Sequence, residues 1–103
     1  HMMVNFKHFS RLSYKILIAY DYTYVHQEKE LILSLCQHEG FLAHAKLLGR
    51  WNLDIELQPH DAKELQEFVI TLRNRFPLIK DYELIQIIED YGLDFFPEKL
   101  TLS

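Results

Sequence analysis

Residues 41–58 read FLAHAKLLGRWNLDIELQ, and this stretch decides the fold. From residue 53 to 58 apolar and polar side chains alternate, which is the two-residue period of a β-strand. Residues 41–48 form a second candidate strand, and the loop Gly49-Arg50-Trp51-Asn52 separates the two runs. Two strands joined by a short loop that contains glycine and asparagine predict a β-hairpin. Gly49 can adopt a backbone conformation that other residues resist, and Asn52 can hold a turn through its side chain.

A strand and a helix are predicted before the hairpin. Residues 14–24 are rich in β-formers, and one parity of this run carries tyrosine and isoleucine throughout. Because Leu17 and Ala19 make the other parity apolar as well, we expect this strand to be covered on both sides. Residues 25–39 change to a helical period, and Gly40 follows where a helix commonly ends in a left-handed conformation. The apolar stripe of this helix consists of Leu31, Ile32, Leu35 and Cys36.

A helix and a strand are also predicted after the hairpin. Asp61 is a helix cap, and Glu64 is its capping-box partner three residues later. Pro77 ends this helix, and residues 81–91 form the last strand. The helical stripe is Leu65, Phe68, Val69, Leu72 and Phe76.

The order β-α-β-β-α-β predicts an α+β ferredoxin-like fold, with a four-stranded antiparallel sheet and two helices on one face. The 103 residues fit one domain. We assign residues 12–91 to this domain, residues 3–11 to a lead-in segment and residues 92–103 to a C-terminal tail. His1 and Met2, ahead of Met3, are interpreted as a remnant of cloning.

Composition limits the classes of function. The net charge is −4, and the basic residues are scattered among acids, so the chain has no basic stripe for gripping DNA or RNA. Cys36 is the only cysteine, which excludes an intramolecular disulfide and fits the cytoplasm. On its apolar stripe we expect Cys36 to be buried and inert. No apolar run approaches the roughly 20 residues that cross a bilayer.

No catalytic or metal-binding motif is present in the sequence. It contains no nucleophile elbow, phosphate-binding glycine loop or HExxH pattern, so we predict no catalytic residue and no cofactor. The histidines have no tight metal-ligand spacing, and no pair of cysteines supports a zinc site. His44, on a strand, is predicted to pack at an interface rather than to bind a ligand.

The sheet predicts self-association. Two helices cover one face, but apolar residues occur on both parities of the strands, and a large exposed apolar patch usually marks an association surface. A homodimer with a two-fold axis is the expected solution. In the alternative, the strand ends tilt and the tail folds across the open face. The predicted dimer-interface residues are Tyr14, Ile16, Ile18, Tyr20 and His44.

The hairpin LGRWNLDIEL, residues 48–57, resembles the turn between the second and third strands in the effector-binding domain of Lrp/AsnC-type transcriptional regulators. In that family the turn has the form Gly, any residue, aromatic, Asp, apolar. An Asp-capped helix that closes with LRNRFP at residues 72–77 matches as well, as do DYE at 81–83 and the archaeal-like FFP at 95–97. The resemblance covers roughly residues 4–97.

The resemblance implies a domain that dimerises through its sheet and can assemble further into rings of dimers. It implies that a small ligand, often an amino acid, binds near the hairpin, and that an N-terminal helix-turn-helix domain, absent from this chain, binds DNA. By position, the ligand site comprises Gly49, Arg50, Trp51 and Asn52. Asn52 departs from the family's acid, and an amide cannot form an ion pair with a ligand amino group.

Two residues of this site have competing interpretations. Arg50 either clamps a carboxylate or is solvated, and Trp51 either contacts a ligand or subunit or folds back on the core. For the whole chain, the leading hypothesis is the ligand-sensing and oligomerisation domain of a regulator. The alternative is a stand-alone dimeric interaction domain without a ligand, and a small enzyme on the same fold ranks third.

Overall fold

The computed structural model describes residues 12–88 and confirms the predicted order of elements. The four strands pair antiparallel in the order β2-β3-β1-β4, and two α-helices accompany them. A 3-10 helix, Tyr22–Gln27, precedes the first α-helix. The remaining elements are β1 Ser13–Tyr20, α1 Glu28–Cys36, β2 Phe41–Lys46, β3 Leu53–Leu57, α2 Ala62–Arg75 and β4 Ile79–Ile87. The predicted lead-in and tail lie outside the described residues.

One hydrophobic core joins the two helices to a single face of the sheet. Leu31 and Leu35 of α1 share it with Leu65 and Val69 of α2. From the sheet it takes Ile16, Ile18, Leu53, Ile55 and Leu57, each at most 2% exposed. Both helices therefore cover the same face, as the ferredoxin-like fold requires.

The first strand ends earlier than predicted, and Tyr22 and Tyr24 are not part of it. The pairing of β1 with β4 shifts register between Ala19 and Tyr20. Asp21 then caps the 3-10 helix, because its carboxylate accepts a hydrogen bond from the Thr23 N–H. The local capping of Asp21 overrides the β-propensity of the tyrosines that follow it.

Two further predictions from the sequence are wrong: that Cys36 is buried, and that Gly40 has a left-handed conformation. Cys36 is exposed: it lies about 100° around the helix from Leu35, away from the core-facing side of α1. Gly40 has no positive φ, and Gly49, at φ +115°, is the positive-φ glycine of the described chain. Gly40 is needed for space, since a Cβ there would lie 1.9 Å from the carbonyl oxygen of Gln58.

The second helix begins as predicted, with one change in its capping. The Asp61 carboxylate accepts a hydrogen bond from the Glu64 N–H at 2.8 Å. The Glu64 carboxylate accepts from the N–H of His60, one residue earlier than a capping box places it. The cap by Asp61 with Glu64 is therefore confirmed, but the Glu64 carboxylate accepts from the His60 N–H instead of the Asp61 N–H.

Candidate functional site

One backbone hydrogen bond closes the hairpin loop, and one glycine gives it its conformation. The Leu47 N–H donates to the Asn52 carbonyl at 2.9 Å. Gly49 has a φ of +115°, and a Cβ added there would meet nothing within 4 Å. Glycine is required at this position for conformation and not for space.

Asn52 ties the hairpin to the end of β1. Its N–H donates to the Ile18 carbonyl at 2.8 Å. Its side-chain Oδ1 accepts from the Tyr20 N–H at 2.8 Å, and its Nδ2 donates to the Tyr22 hydroxyl at the same distance. A backbone N–H can only donate, so this contact fixes which end of the amide faces Tyr20. Asn52 therefore holds the two elements in register.

Arg50 lies between Trp51 and Asp81. Its guanidinium carbon is 4.7 Å from the centroid of the Trp51 ring. Its Nη2 is 3.4 Å from Asp81 Oδ2, and 71% of the Arg50 side chain is exposed. An ion pair this open contributes little to stability, so the Arg50 fork is available to a ligand.

A cleft of about 410 Å³ opens beneath the hairpin, where the C-terminal end of β1 and the start of β4 meet the loop. This volume lies within the usual range for small-molecule sites. Gly49, Arg50 and Asn52, predicted from the sequence, are among its walls, and the half-buried Trp51 is not. The other lining residues are Ala19, Tyr20, Tyr22, Leu48, Lys80 and Asp81.

Sequence reasoning missed the cleft residues that come from other elements. Lys80 and Asp81 lie on β4, about 30 positions from the hairpin, and no sequence pattern brings them there. Tyr22 was placed in a strand. Recognising Asp21 as a turn-forming cap would have separated Tyr22 from β1.

The uncovered face of the sheet carries a small ionic cluster among short side chains. Lys15 Nζ lies 3.3 Å from Asp54 Oδ2 and 3.6 Å from Glu56 Oε2. The hydrogen bond and the charge of Asp54 raise the pKa of Lys15 above its ordinary 10.5. Asp54 Oδ1 is buried and has no hydrogen-bond partner among residues 12–88. Ala43 and Ala45, paired with Glu56 and Asp54, lie on this face beside the cluster.

The predicted interface residues lie on the opposite face, and the structure contradicts the assignment for three of them. Ile16, Ile18 and Tyr20 are at most 4% exposed and belong to the core. Tyr14 pairs with Leu57 and His44 with Ile55, so both share the helix-covered side. The two parities of β1 are both apolar, and sequence alone could not tell which one the helices cover.

His38 is held at both of its ring nitrogens. Its Nδ1 accepts from the Gly40 N–H at 2.9 Å, and so its Nε2 carries the hydrogen that Glu64 accepts at 2.7 Å. The ring packs edge-on against Phe68, with centroids 4.6 Å apart. Within residues 12–88 no three metal-ligating side chains come together. His38 therefore joins the segment that follows α1 to α2, as a structural residue.

Comparison with known proteins finds no relative by sequence. No family model matches the chain, and no curated protein matches it significantly. None of the helices described is long and apolar enough to cross a membrane.

Solved structures do share its fold. The transcriptional regulator NMB0573 of Neisseria meningitidis, in complex with L-Met, matches with a TM-score of 0.69 over 88% of this chain, at 11% identity. An AsnC family transcriptional regulator from Agrobacterium tumefaciens matches with a TM-score of 0.69 over 99% of this chain, also at 11% identity. This chain has the fold of AsnC-type regulators. At these identities the likeness is one of fold.

The chain spans only part of these regulators. It covers 58% of the Neisseria chain and 67% of the Agrobacterium chain. In contrast, it covers 96% of TTHA0845 from Thermus thermophilus, at 14% identity and a TM-score of 0.62. The same fold therefore occurs both within longer chains and in a chain of similar length.

Proposed function

We propose that this chain is the ligand-sensing and oligomerisation domain of an Lrp/AsnC-like transcriptional regulator. The observation that carries this proposal is the cleft beneath the Gly49 hairpin. Three of the four residues assigned to the ligand site line it, and its volume suits a small molecule. The Neisseria regulator with the same fold was solved with L-Met, which supports a small organic ligand here.

Oligomerisation is proposed to use the uncovered face of the sheet. Ala43 and Ala45 are exposed there and would let a second backbone approach closely. A two-fold dimer would bring the same patch of both protomers together. Higher rings of dimers would form by further contacts.

The regulatory mechanism follows from placing a ligand at the edge of such an assembly. A ligand that prefers one assembly state shifts the population toward it, by as much as its two affinities differ. Helix-turn-helix domains attached to the protomers would then be spaced differently along DNA. This role belongs in the cytoplasm, and DNA contact would be made outside this chain.

A thermal-shift screen against amino acids and related carboxylates tests the sensing function. A ligand that binds only the folded chain raises the melting temperature, and the increase grows with ligand concentration. We expect at least one compound to give a saturable increase. Arg50→Gln should reduce that increase, whereas Arg73→Gln, on α2 away from the hairpin, should not. If no compound raises the melting temperature, the chain is not a sensor of this class.

The second candidate function is a stand-alone dimeric interaction domain without a small ligand. The match to TTHA0845 over 96% of its length favours it, because the fold there occupies a whole chain of this size. A dimer that no compound stabilises would support this function. A saturable ligand response would exclude it.

A further inference from the structure

Strand pairing gathers carboxylates on the uncovered face of the sheet. Leu17 of β1 pairs with Asp54 of β3 and with Glu83 of β4. Lys15, two positions earlier on β1, pairs with Glu56 of β3. Side chains of directly paired residues lie on the same face of a sheet. Acids from two strands therefore share this face, and Lys15 is the cation among its strand residues.

The ammonium group of Lys15 is shared between two of these carboxylates. Its Nζ lies 3.3 Å from Asp54 Oδ2 and 3.6 Å from Glu56 Oε2. A single positive charge offsets only one of the two negative charges. The other is left without a counter-charge on this face.

Glu83 adds a second negative charge without a counter-charge. It is exposed, and it makes no ion pair with any residue from 12 to 88. Asp81 lies on the same side of β4, but Arg50 Nη2 is 3.4 Å from its Oδ2 and offsets its charge. The uncovered face is therefore negative even after every ion pair on it is taken into account.

The charges lie among apolar side chains that favour association. Ala43, Ala45 and Ile85 are exposed on this face, and Leu17 is half-buried. Burying them against a second copy is favourable. A two-fold dimer, however, brings the same face of both copies together. Two negative faces repel each other whichever residues come into direct contact.

The distance between the two faces makes this repulsion sensitive to salt. Sheets packed face to face lie about 10 Å apart. The Debye length is about 30 Å at 0.01 M ionic strength and about 3 Å at 1 M. Carboxylates on facing sheets therefore repel each other in dilute salt and are screened in concentrated salt.

We propose that association through the uncovered face is controlled by ionic strength, so that the dimer is weak in dilute salt and tight in concentrated salt. This inference rests on the oligomerisation proposed above and adds its regulation. Apolar burial holds the two copies together, and Glu83 with the Lys15 cluster sets the salt concentration at which the dimer forms.

The dissociation constant of the dimer, measured by sedimentation equilibrium of the full chain, tests the proposal. Between about 0.01 M and about 1 M NaCl we expect it to fall at least about tenfold. Glu83→Gln removes one unpaired charge, so the variant should dimerise about fivefold or more tightly than the wild type in dilute salt. In concentrated salt the two should be alike. Lys15→Gln removes the shared counter-charge and should weaken the dimer in dilute salt.

Glu67→Gln is the matched control. It makes the same change in net charge on the exposed side of α2, on the covered face, and should shift the dissociation constant less than about twofold. A constant that is unchanged or larger in concentrated salt, or equal shifts in Glu83→Gln and Glu67→Gln, would overturn the proposal and leave the dimer intact. If the wild type and Glu83→Gln both stay monomeric at every salt concentration, the oligomerisation function itself is overturned.

Discussion

Asn52 holds the end of β1 through Tyr20: its side-chain Oδ1 accepts the Tyr20 backbone N–H at 2.8 Å across 32 positions of sequence. The same amide donates to Tyr22, so one side chain holds two other residues that line the cleft. Asn52, predicted to line or shape a ligand site, lines the cleft and also connects the hairpin to the end of β1.

Replacing Asn52 should therefore destabilise the fold and not merely the site. In Asn52→Ala the Tyr20 N–H, partly buried, loses its acceptor, and we expect a loss of about 1–2 kcal/mol in the free energy of unfolding. Urea denaturation measures it. Asn74→Ala, exposed on α2, serves as control and should change stability by less than about 0.5 kcal/mol. Equal effects of the two substitutions would contradict the bracing role.

Gly40, just before β2, and Gly49, in the hairpin loop, should respond differently to an added methyl group. Gly49→Ala adds only conformational strain, because no atom lies within 4 Å of the new Cβ, and should cost about 1–2 kcal/mol. Gly40→Ala forces a Cβ to within 1.9 Å of backbone at Gln58, and should cost about 3 kcal/mol or more. Thermal or urea unfolding measures the loss of stability in each variant and so ranks the two. A Gly49→Ala variant less stable than Gly40→Ala would contradict this assignment.

Acid should weaken the contact between α2 and the segment that follows α1, which carries His38. Burial by itself would raise the pKa of Glu64, but hydrogen bonds from the His38 ring and the His60 backbone outweigh it, and the pKa is lowered below 4.5. The unfolded chain then binds the proton more readily. The stabilisation is complete above pH 4.5 and is lost as the pH falls through the folded-state pKa.

The pH dependence of unfolding in Glu64→Gln tests this account. Between about pH 6 and pH 3 the variant should lose less stability than the wild type, because its side chain does not titrate. Glu67→Gln, exposed on the same helix, should follow the wild-type curve. Parallel curves for Glu64→Gln and the wild type would show that Glu64 does not carry the effect.

The sequence predicted those elements whose signals are local. The strict alternation of residues 53–57 defined β3, and Asp61 with the stripe through Leu65 and Leu72 defined α2. The strand pairing followed from the order of elements, because few arrangements bury both helical stripes. The sequence was therefore sufficient for the topology.

The remaining features depend on contacts that are distant in sequence. Both parities of β1 are apolar, so only the packing of Leu31 and Leu65 reveals that Ile16 and Ile18 face the helices. Lys80 enters the cleft because β4 pairs with β1, a relationship between residues about 60 positions apart. The role of Asn52 depends on Tyr20, which no turn pattern includes.

Light scattering of the chain over a concentration series tests whether the uncovered face of the sheet joins two copies. We expect a wild-type dimer and a monomeric Ala43→Glu variant, because the new carboxylate lies on the uncovered face opposite Glu56. Ile70→Glu, exposed on α2, should remain dimeric, and circular dichroism should show all three folded. A wild-type chain that stays monomeric at the highest concentration would contradict the account.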